Sequence, residues 1–170
     1  VAVPLLSSQI LASNPVAYWQ LDETTGTTAT NQGSIGAAVN GTYLNTPTLG
    51  APALYSDAAS SVGFNGINEG ISVPTHAQIN GSNQPLRTVE LVFNANTTSG
   101  RQVLYEEGGG TNALSIYIFN GSVYVNGRDA GAWGPVTISA PIVAGQTYHV
   151  AFTFDFPNST FTGYLDGVSM

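Results

Sequence analysis

Residues 147–167, TYHVAFTFDFPNSTFTGYLDG, decide the fold, because they contain two consecutive strand patterns joined by a turn. Side chains of a β-strand alternate between its two faces, so every second residue shares a face. The first strand thus divides into an apolar face and a more polar face. The apolar face comprises Tyr148, Val150, Phe152, Phe154 and Phe156, and the other face comprises Thr147, His149, Ala151, Thr153 and Asp155. We predict that the apolar face packs in a core.

The second strand pattern follows the turn residues 157–160 and places Phe161, Gly163 and Leu165 on one face. Asp166-Gly167 then forms a typical hairpin turn, and residues 168–170 come after it. A strand that enters a hairpin without a full return partner leaves an unpaired edge. We therefore expect the sequence to belong to a longer protein that supplies closing strands at its C-terminal side.

The composition predicts a soluble domain of low charge. Hydrophobic residues make up 42% of the 170 residues, which is enough for one sizeable core, whereas only 8% are charged. The three basic residues are all arginines, and the net charge is −7. A chain without a basic cluster is not expected to bind nucleic acid or anionic membranes. No apolar run approaches the roughly 20 residues that cross a bilayer, so we expect no membrane insertion. Cysteine is absent, which leaves the redox compartment open.

Short strand patterns separated by turn residues cover most of the remaining chain, and no sustained helical period appears. Residues 5–12 are compatible with one or two helical turns. Asn65-Gly66 predicts a hairpin between strands 62–64 and 70–73, and Asn120-Gly121 predicts a second hairpin between strands 114–118 and 123–125. Further strands are predicted at 16–21, 41–44, 88–93, 102–105 and 136–139. This pattern predicts an all-β fold in which two antiparallel sheets form a sandwich or barrel.

Several sequence segments resemble bacterial laminin-G-like jelly-roll domains of the concanavalin A-like lectin/glucanase superfamily. They are NPVAYWQLDETTGTTATNQGS, NGTYLNTPTLG, VGFNGINEGISVP, RTVELVFNA, GRQVLYEEGGGTNALSIYI and AGQTYHVAFTFDFPNSTFTGYLDGV, in this order. The resemblance covers residues 16–168 and implies a two-sheet antiparallel jelly-roll β-sandwich, with residues 1–15 as a lead-in segment and residues 16–170 as the domain. Family members continue past the Tyr-Leu-Asp-Gly turn, which again implies missing closing strands.

Catalytic patterns of the superfamily are missing from the sequence. A glucanase places carboxylates at alternating positions of one strand, as Glu-x-Asp-x-x-Glu, and this spacing does not occur. Glu106 and Glu107 are adjacent, so on a strand they would point to opposite faces, and we expect them to be solvated or loop residues. His149 is expected to be a half-buried sheet residue, and His76 lies in a connection. We predict that the domain is not an enzyme.

Calcium is the best metal hypothesis, since hard cations prefer several oxygen ligands. The polar loop at residues 22–40 offers Asp22, Glu23, Asn31 and Asn40 among exposed glycine carbonyls. Members of the family often carry an aspartate where this chain has Asn31, and they often bind a structural calcium nearby. The resemblance therefore implies a possible structural Ca²⁺, and the loss of that carboxylate lowers the expected affinity.

A candidate ligand site lies in residues 126–134, NGRDAGAWG, which we expect to form a loop. Glycan binding uses an aromatic platform flanked by polar and charged groups, and this segment offers Arg128, Asp129 and Trp133. The alternative is that Trp133 folds back onto the sheet edge. Trp19, within a predicted strand, is expected in the core.

The functional hypothesis is a non-catalytic recognition or adhesion module of a larger secreted or cell-surface protein, binding glycans or proteins. One alternative is a structural domain that packs against its parent chain or against neighbouring subunits in a filament or sheath, because low charge limits repulsion in dense assemblies. The other is an accessory carbohydrate-binding domain of a polysaccharide-active enzyme. The expected partners are therefore the parent chain, neighbouring subunits or glycans.

Overall fold

The computed structural model describes residues 6–82, 84–129 and 133–170, apart from the side chain of Trp133. It is all-β with antiparallel sheets, as predicted, and its strands are short and numerous. The chain divides into two compact units, Val1–Ser82 and Asn83–Met170, which are described separately. The sequence-based boundary between residues 15 and 16 stays a prediction. Among the described residues, no helix is long and apolar enough to cross a bilayer.

The first unit contains two small sheets and two short helical segments. Strands β1, β2 and β5 form a three-stranded sheet in that order, and β3 pairs with β4. The elements are α1 (Leu6–Ala12), β1 (Thr28–Ala29), a 3₁₀ turn (Gly36–Val39), β2 (Gly41–Leu44), β3 (Thr48–Ala51), β4 (Ser61–Gly63) and β5 (Gly70–Ser72). The helical turns at residues 5–12 and the strand at 41–44 are thus confirmed over the described residues.

The predicted strand at residues 16–21 is wrong. Only Trp19 forms an isolated bridge, with Asn31. The reason is that backbone groups of this segment bond to loop residues: Tyr18 N–H donates to Asn31 Oδ1 at 2.7 Å. The indole of Trp19 likewise donates to the carbonyl of Val39 at 3.0 Å, so this segment lines a loop rather than a sheet.

The predicted hairpin around Asn65-Gly66 is also wrong. Strand β4 pairs with β3 and β5 pairs with β2, so the two strands flanking Asn65 are not partners. The side chain of Asn65 explains the difference, because its Oδ1 accepts hydrogen bonds from the backbone N–H groups of Ile67 (2.8 Å) and Asn68 (3.2 Å). Such an asparagine-centred bend ends the strand without returning the chain alongside it.

The second unit is a sandwich of two four-stranded antiparallel sheets. One sheet has the order β10-β9-β8-β7 and the other has the order β13-β12-β11-β6. The strands are β6 (Leu86–Asn94), β7 (Arg101–Gly108), β8 (Asn112–Phe119), β9 (Ser122–Asp129), β10 (Trp133–Pro141), β11 (Thr147–Asp155), β12 (Thr160–Leu165) and β13 (Val168–Ser169). Two predicted hairpin turns of this unit are confirmed: Asn120-Gly121 joins β8 to β9, and Asp166-Gly167 joins β12 to β13.

Alternate residues from the two sheets build one core. Fully buried side chains come from β8 and β9 on one side and from β11 on the other, and they pack in a single cluster. The members below 2% exposure in this cluster are Ile116, Ile118, Val123, Val125, Val150 and Phe152. The apolar face predicted for β11 therefore lies inward at its centre, while Phe156 beyond the strand end is 49% exposed.

Gly163 allows the two sheets to approach each other. It lies opposite Phe152 in the β11–β12 register. A Cβ atom on Gly163 would lie 2.6 Å from Cγ2 of Val125 in the facing sheet and 2.6 Å from the terminal methyl of Met170. Carbon atoms do not normally approach so closely, so glycine here makes room for the core of the opposite sheet.

One ion pair links the two sheets near the edge of the core. Arg87 of β6 donates to Glu107 of β7 at 2.6 Å, and both side chains are only 11% exposed. The neighbouring Tyr105 is largely buried, and burial followed by the charge of Glu107 raises the pKa of its hydroxyl above the ordinary value. The expectation that Glu106 and Glu107 point to opposite faces is confirmed, but the solvated or loop position expected for Glu107 is wrong, because it lies in β7 and its charge is paired.

Substitution Gly163→Val should destabilise the sandwich by about 1–3 kcal/mol, since the added methyl groups would overlap Val125. The free energy of unfolding from urea denaturation measures the effect. Thr162→Val, at the next position on the other face of β12, is the matched control and should change stability by less than about 0.5 kcal/mol. Equal effects of the two substitutions would contradict the close packing at Gly163.

Candidate ligand-binding face

The outer face of the β10-β9-β8-β7 sheet carries aromatic and basic side chains among small polar groups. Because Ile116, Ile118, Val123 and Val125 point into the core, the residues between them point outward. We call this outer surface the tyrosine face. It consists of Arg101, Val103, Glu106, Ser115, Tyr117, Phe119, Tyr124, Asn126, Arg128, Thr137 and Ser139.

Two tyrosines form the centre of the tyrosine face. Tyr117 of β8 and Tyr124 of β9 are direct register partners, with ring centroids 5.0 Å apart and an interplanar angle of 3°. This separation is close to the spacing of about 4.8 Å between neighbouring strands. The rings therefore stand upright on the sheet and stack along the direction that runs from strand to strand.

Arg101 extends this stack on the β7 side. Its guanidinium carbon lies 4.5 Å from the ring centroid of Tyr117 and 5.6 Å from that of Phe119. A guanidinium over an aromatic ring is stabilised by the ring's electron-rich face, by about 0.5–1 kcal/mol at an exposed site. These contacts restrain the guanidinium beside the aromatic pair.

On the β10 side the stack ends at Tyr124, next to small polar residues. Its register partner on β10 is Ser139, whose side chain is exposed. Asn126 donates from Nδ2 to the hydroxyl of Thr137 at 2.6 Å, so the amide is fixed beside this position. One face of the Tyr124 ring is thus bordered by hydroxyl and amide groups rather than by another large side chain.

The sequence-predicted site residues lie at one end of the tyrosine face. Arg128 is exposed on β9, four residues beyond Tyr124 and on the same face. Asp129 follows on the opposite face of the strand and pairs in register with Trp133. The expectation that residues 126–134 form a loop is wrong where the structure describes them, because 126–129 belong to β9 and 133–134 begin β10. The side chain of Trp133 lies outside the described part, so its predicted role stays a prediction.

The tyrosine pair was recoverable from the sequence, but its partner Arg101 was not. A two-residue turn at Asn120-Gly121 fixes the hairpin register, so residues 117 and 124 must face each other outside the core. Arg101, in contrast, pairs with Phe119 of β8, and the register of β7 against β8 shifts further along, between Val103 and Tyr105. A bulge of this kind leaves no clear signal in the alternation of apolar residues.

The four predicted calcium ligands lie in the first unit, where Asn31 makes several hydrogen bonds. Its Oδ1 accepts from the N–H groups of Tyr18 (2.7 Å) and Gly33 (3.0 Å). Its Nδ2 donates to the carbonyl of Gly36 at 2.9 Å. The backbone N–H of Asn31 in turn donates to Oδ1 of Asn40 at 2.9 Å. The side chain of Asn31, which is 6% exposed, therefore organises this loop directly.

Glu23 is also engaged within the protein. Its Oε1 accepts from the N–H of Thr30 at 2.7 Å, and its Oε2 accepts from the hydroxyl of Tyr43 at 2.6 Å. Partial burial opposes ionisation, but these hydrogen bonds outweigh it and hold the pKa of Glu23 below its ordinary value. Burial and the bond to Glu23 correspondingly raise the pKa of Tyr43.

These contacts do not fit a calcium site built from Asp22, Glu23, Asn31 and Asn40. Three of the four predicted ligands already use their side-chain oxygens as acceptors for protein donors. The Nδ2 of Asn31 donates to the carbonyl of Gly36, so this carbonyl also has a protein partner. Within the described ranges, no three His, Cys, Asp or Glu side chains form a group that could hold a metal ion. These contacts argue against the calcium prediction, which a titration tests directly.

A calcium titration of chelator-treated protein tests that prediction. From the hydrogen bonds we expect an unchanged melting temperature at millimolar calcium, whereas a ligand at 100 times its Kd would stabilise the folded state by about 2.7 kcal/mol. Asn31→Ala removes the amide and should lower stability with or without calcium. A melting temperature that rises with calcium in the parent protein, and no longer does so in Asn31→Ala, would establish the site.

His149 lies on the outer face of the other sheet and is half-buried, as predicted. Its Nε2 lies 2.9 Å from Glu90 Oε2 on the neighbouring strand β6. Its backbone N–H donates to Oδ1 of Asp166 at 2.8 Å. The hydrogen bond with Glu90, and then the charges of Glu90 and Asp166, raise the pKa of His149 despite partial burial. The same bond lowers the pKa of Glu90.

This pair should stabilise the fold only where both groups are charged. The stability that comes from the raised pKa of His149 is fully present below the unfolded pKa of about 6.5. It is lost as the pH rises through the folded pKa. The stability that comes from the lowered pKa of Glu90 is present above the unfolded pKa of about 4.3. It is lost as the pH falls through the folded pKa. We expect Glu90→Gln to lower the free energy of unfolding by about 0.2–1 kcal/mol near pH 5.5, since both groups are substantially exposed.

Urea denaturation of Glu90→Gln between pH 4 and pH 9 measures this difference, which should shrink above the folded pKa of His149. The matched control is Glu106→Gln, which removes an exposed carboxylate from the other sheet. Glu106 makes no salt bridge in the part of the chain that the structure describes. A pH-independent effect of Glu90→Gln would contradict the charged pair.

Comparison with known proteins supports the fold and the general class of function. The laminin-G family model described as the concanavalin A-like lectin/glucanases superfamily matches residues 64–170, which is more than half of the chain. No curated protein and no solved structure matches significantly. Domains of this kind are typically carbohydrate- or protein-binding modules and are typically extracellular. The two-sheet sandwich of the second unit lies within the matched region, and the chain belongs to the laminin-G-like domains of the concanavalin A-like lectin/glucanase superfamily.

Proposed function

We propose that this domain is a non-catalytic module of a larger secreted or cell-surface protein and that it binds a glycan chain on the tyrosine face. The observation that carries the proposal is the parallel pair Tyr117–Tyr124 on an outer sheet surface, with Arg101 stacked on it. Tyrosine and arginine are the side chains most enriched at the centres of binding surfaces, because they offer large contact areas together with polar groups.

The Tyr124 end of the stack supports a sugar in particular. A sugar ring combines an apolar face of C–H groups with a rim of hydroxyls, so it needs an aromatic wall and several hydrogen-bonding groups. Tyr124 supplies the wall, and the side chains of Ser139, Thr137 and Asn126 supply hydroxyl and amide groups beside it. Neighbouring rings of the stack lie about one strand spacing apart. A sugar ring placed above Ser139, on the next strand, would therefore contact Tyr124 in the same way as Tyr124 contacts Tyr117.

The polar surface of the domain fits the same role. Only 8% of the residues are charged, so most of the exposed polar groups are amides and hydroxyls. These groups exchange hydrogen bonds with sugar hydroxyls without the large desolvation penalty of a charge. The adjacent pair Glu106 and Glu107 supports a non-catalytic role, because the two carboxylates point to opposite faces and Glu107 is neutralised by Arg87.

A glycan array followed by calorimetry with the best ligand tests the proposal. Tyr124→Ala should weaken binding at least tenfold, which corresponds to about 1.4 kcal/mol. Ser139→Trp should also abolish binding, because the new ring would occupy the position above residue 139 while Tyr117 and Tyr124 remain. Thr88→Ala, on an exposed position of β6, is the control and should bind like the parent protein.

Two results would contradict this assignment. Unchanged affinity in both Tyr124→Ala and Ser139→Trp would show that a glycan binds elsewhere. Regular oligomers that dissociate on Tyr124→Ala, in a protein that binds no glycan on the array, would assign the same face to assembly with neighbouring subunits. Analytical ultracentrifugation of the same variants separates these outcomes.

A further inference from the structure

We propose that the tyrosine face recognises an anionic polysaccharide, with carboxylate or sulfate groups held by Arg101 and Arg128; this inference rests on the glycan-binding function proposed above. Its starting point is the distribution of positive charge. The chain has three basic residues, all arginines, against ten acidic residues. All three arginines lie in the second unit, and two of the three project from a single sheet face.

The third arginine is not available to a ligand. Arg87 is paired with Glu107 between the sheets, where both side chains are 11% exposed. Arg101 and Arg128 are exposed, and among the described residues neither forms a salt bridge or a side-chain hydrogen bond. The tyrosine face therefore carries two uncompensated positive charges and one negative charge, that of Glu106. The other charged groups of the second unit are Arg87 and five carboxylates.

Arg101 is restrained by the aromatic residues of the tyrosine face. Its guanidinium carbon lies 4.5 Å from the ring centroid of Tyr117 and 5.6 Å from that of Phe119. A planar guanidinium with free edges binds a carboxylate or a sulfate through two parallel hydrogen bonds. The stacking also removes rotamer freedom before the ligand arrives, which lowers the entropic cost of binding.

The spacing of the two arginines favours a polymer over a small acid. Arg101 lies opposite Phe119 and Arg128 lies opposite Ala113, so six residues of β8 separate them, a distance of about 20 Å along the strand. A single small anion cannot contact both groups. A chain with repeated acidic groups can, while its sugar rings pass the tyrosine pair that lies between the arginines.

The carboxylates on the other sheet of the second unit do not oppose this ligand at close range. Glu90, Asp155 and Asp166 belong to the other sheet, and stacked sheets lie about 10 Å apart. That separation is about one Debye length at physiological salt, so repulsion from those carboxylates is largely screened at the tyrosine face. Glu106 is the acidic residue on the face itself, and its removal should favour an anionic ligand.

The experiment compares polygalacturonate with the same polymer after its carboxyl groups are reduced, by calorimetry on the full chain. We expect the charged polymer to bind at least tenfold more tightly and its binding to weaken as salt rises. Arg101→Gln and Arg128→Gln should each weaken it at least fivefold, and Arg101→Lys should only partly restore the loss, because an ammonium cannot form the paired contact. Glu106→Gln should strengthen binding or leave it unchanged.

A second pair of polymers, dextran sulfate and dextran, identifies the anionic group. Preference for dextran sulfate that depends on both arginines and on Tyr124 would assign sulfate, and the corresponding preference for polygalacturonate would assign carboxylate. Equal binding of charged and neutral polymers, with no effect of the arginine substitutions but a loss in Tyr124→Ala, would overturn this inference and leave the glycan-binding function standing. Binding of polyanions that is unaffected by Tyr124→Ala would overturn both, since it would reflect charge alone.

Discussion

The register of the β8–β9 hairpin is the constraint on which both the core and the candidate site depend. Asn120 and Gly121 have φ angles of 45° and 88°, which suit a two-residue turn that matches the twist of the strands. This turn places Ile116 and Val125 inside and Tyr117 and Tyr124 outside. A shift by one residue would exchange the two sets, so one short turn determines what the sheet buries and what it presents.

The arginines show how the fold distributes its few charges. Arg87 lies on the inward face of β6, where burial without a partner would cost several kcal/mol, and Glu107 from the other sheet supplies the opposite charge. Arg101 and Arg128 stay outside, where water satisfies them until a ligand arrives. The inward pair joins the two sheets at their edge, while Arg101 and Arg128 carry the positive charge of the outer face.

Sequence reasoning succeeded where local chemistry determines the structure and failed where side chains compete with the backbone. The alternation around Phe152 and the turn at Asn120-Gly121 predicted the second unit well, because apolar periodicity and turn residues act over short distances. Residues 16–21 have the pattern of a strand, but the backbone N–H of Tyr18 donates to the side chain of Asn31 instead of to a neighbouring strand. An Asn-Gly pair at residue 65 looks like a hairpin turn, yet its side chain closes a bend. Neither of these side-chain-to-backbone hydrogen bonds can be predicted from the pattern of apolar residues.

The position of the candidate site on strands, rather than on the predicted loop, changes how it would bind. The backbone of β8 and β9 is fixed by the sheet, and each tyrosine ring restricts the other at 5.0 Å. Little conformational entropy is then lost when a ligand docks, in contrast to a loop that must become ordered. The site lies on the outer surface of the sheet, and β10 is the edge strand of that sheet. An extended chain can therefore enter and leave without movement of the protein, so its affinity must come from repeated contacts along the face rather than from enclosure.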